Sequence, residues 1–281
     1  MIKKILVALD ADTDTPVATR YAADIARRHS AEVTGLAVVD MGSIEASSRG
    51  GGIGSMYLME KVQENLTAEA RSVARQLTKV FKEAMEGAGV VAFDVQVEEG
   101  VPFERIVEDM KYHDLLVVGK VPHFFYSHPE EKTRTLVRVV KKSIGPTLVV
   151  PETYRPVRRV LVAYDASGAS ARAMRRFVHL QPFGTDLTLE ILNVHTKGER
   201  AGSQLALQMA RSYMDAHGYA THTSSIQGTD PAKQIGEFAL EFEADVVVAG
   251  AHSVSKLAKL AFGSTTASLL ENCPVPLFVD H

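Results

Sequence analysis

The chain has 281 residues, 46% hydrophobic and 23% charged, a composition that supports packed cores and excludes disorder. That length suits two domains of ordinary size rather than one. Net charge is −3, with acids and bases near balance in each half, which excludes a polybasic module for nucleic acid or anionic membrane.

At the N-terminus, MIKKILVALD holds too short an apolar run for a signal peptide, and no later stretch reaches the ~20 apolar residues of a membrane span. A cytoplasmic location is the expectation. The first strand is predicted over 2–9, followed by Asp10, a polar turn and a helical pattern. Further strands are predicted at 32–39, 90–97, 114–119 and 146–150. Between the second and third lies Met41–Tyr57, a glycine- and serine-rich loop. A helix then runs over about 57–86, with Met59, Val62, Leu66, Ala70, Val73, Leu77, Val80 and Ala84 expected to face the sheet.

After a short linker, Pro151–Pro156, the same grammar returns. Ile2–Ala26 reads IKKILVALDADTDTPVATRYAADIA and Val157–Gln181 reads VRRVLVAYDASGASARAMRRFVHLQ, so Asp10 matches Asp165. Asp114–Gly119 (DLLVVG) likewise matches Asp245–Gly250 (DVVVAG). Strands of the second copy are predicted at 157–164, 186–194, 219–226, 244–249 and 275–279. The runs are rich in Val, Ile and Leu and do not alternate, as parallel strands covered on both faces require. The expectation is an α/β chain of two tandem doubly wound domains, 1–151 and 156–281, each a five-stranded parallel sheet flanked by helices. The last strand of each copy is bracketed by prolines and is expected at a sheet edge.

Ligands in such sheets bind beyond the carboxyl ends of the strands. In the second copy that loop runs from Gly250, which lets the chain turn, through His252 and Ser253 to Gly263, Ser264 and Thr265, which open the next helix. Read alone, Gly263-Ser264-Thr265 is an ordinary helix N-cap, and Asp165 a turn former. Read together with Gly250, the helix mouth offers N–H groups, a positive dipole end and hydroxyls to a phosphate.

This pattern resembles the universal stress proteins that bind ATP, which carry a glycine, two residues, a second glycine, nine residues, then Gly-Ser or Gly-Thr. Here the spacing is kept as Gly250, Ser253 and Gly263-Ser264, with serine in place of the second glycine. The resemblance covers nearly the whole chain, twice. It implies an aspartate near adenine and ribose, here Asp165, and backbone contacts to adenine from the second strand's end, here Val194. It also implies ATP (alone or with Mg2+) as ligand, and a sensor or adaptor in the stress response. His252, inside the loop and with no evident partner, reads as a lining residue rather than an acid/base catalyst. Paired terminal strands would join the two domains, and a homodimer is open on the same logic. In the first copy, Pro122 and Lys132-Thr133 stand at the motif positions and His123–Pro129 is bulky, so that copy is expected to be degenerate for ATP.

Other chemistries find little support. No Walker-type loop, His-Glu-x-x-His, cysteine pair or nucleophile elbow occurs, and Gly52-Ile-Gly54-Ser-Met-Tyr57 lacks the last glycine of a dinucleotide fingerprint. His217 and His222 read as surface residues. Cys273 is the only cysteine, so no intrachain disulfide forms, and before Pro274 it reads as a buried apolar residue. No catalytic residue and no protein-borne metal site are expected; slow hydrolysis or self-phosphorylation at Ser264 or Thr265 has no dedicated base. A scaffold that binds partners without nucleotide, through an unidentified protein contact, is the competing reading.

Overall fold

The computed structural model describes residues 1–11, 13–42, 44, 56–120, 132–196, 200–251 and 264–281. Lobe one carries β1 (Lys4–Leu9), α1 (Thr15–His29), β2 (Glu32–Asp40), α2 (Met56–Gly87), β3 (Phe93–Gly100), α3 (Pro102–Asp109), β4 (Leu115–Gly119), α4 (Lys132–Lys142) and β5 (Thr147–Val150). Lobe two repeats the alternation with β6 (Arg159–Ala163), α5 (Gly168–Leu180), β7 (Thr188–His195), α6 (Arg200–Ala216), β8 (Ala220–Gln227), α7 (Pro231–Glu241), β9 (Val246–Gly250), α8 (Ser264–Asn272) and β10 (Leu277–Asp280).

The strands join in one sheet with the order β3-β2-β1-β4-β5-β10-β9-β6-β7-β8. Every neighbouring pair is parallel except β5 and β10, which run antiparallel with Leu148 opposite Phe278. The proline-bracketed strands are therefore edges of their own lobes only. Each covers the other, and the outer edges of the joint sheet are β3 and β8. Mutual coverage explains how a four-residue strand ending in apolar side chains avoids presenting an unpaired edge.

Two apolar layers sandwich the sheet. One face packs Tyr21, Phe81, Phe177 and Met214 from α1, α2, α5 and α6. The other packs Ile106, Leu136, Ile235 and Leu269 from α3, α4, α7 and α8. The linker is tied down too: the Tyr21 hydroxyl donates to the Arg155 carbonyl at 2.8 Å and accepts from the Arg155 N–H at 3.1 Å. Near the seam the Lys120 ammonium donates to the Cys273 carbonyl at 2.8 Å, crossing from one lobe to the other. Burial, the dominant influence, lowers the Lys120 pKa.

One expected helix face is rotated. On α2 the buried residues are Ala70, Ala74, Phe81 and Met85, with Leu66 and Leu77 partly covered, whereas Val62 and Val80 are 42% and 44% exposed. Ala84 is exposed as well, and the Met59 side chain lies outside the described residues. The reason is a knob and a hole. Gly35 on β2 leaves space for the Phe81 ring, and a Cβ at that position would lie 2.9 Å from it.

Candidate functional site

The two lobes reverse strand order beside β1 and β6, so crevices are expected at the carboxyl ends of those strands. In lobe two, the chain leaves β6 through Tyr164, Asp165 and Ala166. Ala166 has φ 63°, a left-handed value that costs a non-glycine residue about 1–2 kcal/mol. That twist turns the chain back so that Asp165 meets the start of α5. The Asp165 Oδ1 accepts from the Ser167 N–H at 2.9 Å and from the Ser170 hydroxyl at 2.7 Å. Ser167 is the N-cap, accepting from the Ser170 N–H at 3.2 Å.

Asp165 is exposed as a residue, yet its carboxyl is close enough to the protein for desolvation to matter. Partial burial raises its pKa, but the bonds from Ser167 and Ser170 outweigh it and hold the carboxyl below the usual carboxylate range. The group stands as an anchored carboxylate whose Oδ1 is committed to the turn.

Gly250 ends β9, where close packing requires a glycine. A Cβ there would lie 2.4 Å from the Ala169 carbonyl carbon and 2.5 Å from the Ser170 nitrogen. The glycine thus permits the first turn of α5 to press against β9. From the other side, the buried Thr266 hydroxyl donates to the Gly250 carbonyl at 3.0 Å, pinning the first turn of α8. Ala251 N–H donates to the Asp280 carbonyl at 2.7 Å, which extends the ladder past the strand end. The Asp280 carboxyl is raised by burial, against the opposing pull of Arg176, whose Nε is 3.6 Å away.

The predicted residues that are described therefore fall into three groups. Asp165 and Gly250 meet through the first turn of α5. Val194 lies near the end of β7, half-buried and paired in register with Ile226. Ser264 begins α8, with Thr265 half-buried after it; of the Ser264 side chain nothing is described. His252, Ser253 and Gly263 lie outside the described residues, as do Pro122, His123–Pro129 and the Gly52–Gly54 segment.

Several residues of the site were not singled out from the sequence. Ser167 and Ser170 supply the cap and the orienting hydroxyl, and the Ser-x-x-Ser spacing ahead of an apolar helix was the available signal. Asn193 ties two strands, donating to the Tyr164 carbonyl at 2.8 Å and accepting from the Ser203 hydroxyl at 2.6 Å, with Ser225 3.1 Å from Ser203. Beyond the ends of β7 and β8 lies a cavity of about 370 Å³ lined by Thr196, Gln227, Gly228, Asp230, Lys233 and Gln234.

Lobe one differs at the matching place. Asp10 is 6% exposed and its backbone N–H donates to the Thr15 hydroxyl at 3.1 Å, the position matching Ser170. The space beside it is a void of about 10 Å³, closed by Ala70, Val73, Ala74 and Leu77 of α2 over Leu9, Ala37 and Val38. Gly119, the counterpart of Gly250, lies against Asp14, the N-cap of α1.

Two open, doubly wound sheets joined edge to edge, each with an acid at its first strand's end and a glycine at its fourth's, define a tandem α/β protein of internally duplicated design. The model of the universal stress protein family matches residues 1–151 and again 156–281, and the chain belongs to that family. It is 24% identical over 289 aligned positions to universal stress protein Slr1230 of Synechocystis sp., covering 98% of this chain and 99% of that one. In structure it is similar to a universal stress protein of Archaeoglobus fulgidus, with a TM-score of 0.72 at 20% identity over 99% of this chain and 97% of that one. It is also similar to a putative universal stress protein of Pseudomonas aeruginosa, with a TM-score of 0.63 at 17% identity over 99% and 93%. Among the described residues no helix is long and apolar enough to cross a membrane, and no group of three His, Cys, Asp or Glu is placed to hold a metal.

Proposed function

We propose that lobe two binds an adenine nucleotide, ATP, at the carboxyl end of its sheet, and that the protein serves as a stress-response sensor or adaptor rather than a catalyst. The observation that carries this reading is the contrast between matched acids: Asp165 is exposed and oriented, whereas Asp10 is buried beneath α2. Asp165 would accept from ribose hydroxyls, and the backbone at Val194 would meet the base. Gly250, His252, Ser253, Gly263, Ser264 and Thr265 would form the phosphate mouth, with N–H groups at the start of α8 facing negative charge. Mg2+ would come with the phosphates, since this ion keeps most of its ligands from phosphate and water. Lobe one would be the nucleotide-free half, and a cytoplasmic location fits this role.

Calorimetric titration with ATP tests the reading. Wild type should give a saturable isotherm, with Gly263→Val and Asp165→Ala each weakening affinity by about tenfold or more. No heat from folded wild type would end the nucleotide reading, and ATP consumed on long incubation would end the non-catalytic part. The commitment of Asp165 Oδ1 to Ser167 and Ser170 favours a second reading, a scaffold in which Asp165 only shapes the turn. A partner captured equally with and without ATP would support it.

A further inference from the structure

At the opposite end of lobe two, before β6 and β7 begin, the lobes flank an open cleft. Its volume is about 500 Å³, within the range that holds small ligands. One wall is the C-terminal half of α1 (Tyr21, Arg28), the floor is the linker (Tyr154, Arg158), and the other wall is the loop between α5 and β7 (Phe183, Asp186). No single lobe makes this site.

The walls are built rather than incidental. Tyr154 is fixed on three sides. Its hydroxyl donates to Asp24, its ring packs 4.7 Å from that of Tyr21, and the Arg20 guanidinium carbon lies 3.8 Å from its ring centroid. Burial, reinforced by the bond to Asp24, pushes its phenol up to about 12, so it stays neutral. Asp24 is occupied by Tyr154 and by Arg27 at 3.9 Å. That leaves Arg28 and Arg158 lining the cavity without a carboxylate within 4.0 Å among the described residues, and a single remaining acid, Asp186. Arg28 crosses the lobe boundary. Its Nη1 would lie 2.7 Å from a Cβ at Gly184, a residue at φ 82° where glycine is favoured. An arginine at the end of α1 would complement the helix dipole from solvent alone. Here it also lies over the other lobe's backbone, in the cleft that Tyr154 lines.

We propose that this inter-lobe cleft binds a small organic anion, with its phosphate or carboxylate between Arg28 and Arg158 and its apolar part in the space bounded by Tyr154, Val157 and Phe183. Guanidinium forks grip both groups through paired N–H donors, and the apolar lining accepts the rest of the molecule. Because α1, the linker and the lobe-two loop all contribute, occupancy fastens one lobe to the other. The proposal is independent of any nucleotide at the carboxyl end.

The test uses the full chain with phenyl phosphate and benzoate as probes and benzyl alcohol as the uncharged control, followed by ligand-observed NMR and calorimetry. Saturable binding of at least one anion, and none of the alcohol, is expected. The stronger anion identifies which group the cleft prefers. Arg28→Ala with Arg158→Ala should weaken binding about tenfold or more, while Arg211→Ala, an exposed arginine on α6 outside the cleft, should leave it unchanged. Both cleft arginines are exposed, so the double variant is expected to fold. If it does not, Arg28→Lys with Arg158→Lys carries the same test, keeping charge but losing the forks, with affinity reduced several-fold. Absence of saturable binding to wild type, equal uptake of the alcohol, or unchanged affinity in the folded arginine variants would overturn the proposal.

Discussion

Asp165 and Ser170 form a pair whose behaviour can be read by pH. Hydrogen bonds hold the Asp165 carboxyl below its ordinary value, so folding favours the ionised form. The stability this contributes is present above the unfolded carboxylate pKa and is lost as pH falls through the lower, folded value. Ser170→Ala removes one donor to that carboxylate. Its titration, followed by carboxyl carbon NMR, should move upward, and the protein should lose about 1 kcal/mol near neutral pH. An unchanged titration would show that Ser167 alone orients the acid. Gly250 supplies a second single-residue case. Gly250→Ala drives a methyl into the backbone of Ala169 and Ser170 and should cost about 1–3 kcal/mol by urea unfolding. Gly236→Ala, inside α7 with open space at its Cβ, should instead stabilise by about 0.5–1 kcal/mol. Gly250 was legible in the sequence because its spacing to Gly263 is distinctive. Its steric reason was not, because no local pattern says which backbone will approach a glycine. Thr266 was hidden for the same reason: its partner is the Gly250 carbonyl, contributed by another element.

At the scale of elements, the eight inner strands emerge where runs rich in Val, Ile and Leu predict them, because strands covered on both faces leave an apolar record. The outer strands β3 (FDVQVEEG) and β8 (ATHTSSIQ) are more polar, and β3 begins three residues after its expected start. The face of α2 was harder. The expected stripe repeats every seven residues, through Met59, Leu66, Val73 and Val80, whereas a straight α-helix drifts about 20° per heptad. Over a helix of 32 residues that drift brings Ala74, Phe81 and Met85 to the sheet and leaves Val80 in solvent. Phe81 then depends on the space at Gly35, which gives a test by double-mutant cycle. Gly35→Ala alone should cost about 1–3 kcal/mol, since the added methyl meets a ring packed in the core. Phe81→Leu alone should cost about 1–3 kcal/mol through lost packing. The double variant should lose less than the sum by about 0.5 kcal/mol or more, the signature of direct contact. Strict additivity would mean that the ring and the glycine do not share that space.

For the whole molecule, the decisive contact is the antiparallel join of β5 and β10, which turns two five-stranded sheets into one of ten. Proline brackets marked these strands as edges, but their partner was not written locally, since pairing joins residues more than a hundred positions apart. Leu277, Phe278 and Val279 are each at most 1% exposed, with Phe278 packed on Phe177 of its own lobe and the strand's edge covered by β5 of lobe one. A fragment of residues 156–281 would uncover that strand together with the α8 face that packs near α4. An unpaired apolar edge recruits another strand, and two copies related by a twofold axis reproduce the antiparallel geometry, with Phe278 opposite Phe278 in place of Leu148. The fragment should therefore run as a dimer by light scattering at micromolar concentration. Added fragment 1–151 should convert it to a one-to-one complex, because Leu148 and Val149 restore the native register. A wild-type fragment that stays monomeric would place the cohesion of the two lobes elsewhere, in the Tyr21–Arg155 tie and the linker rather than in the shared sheet.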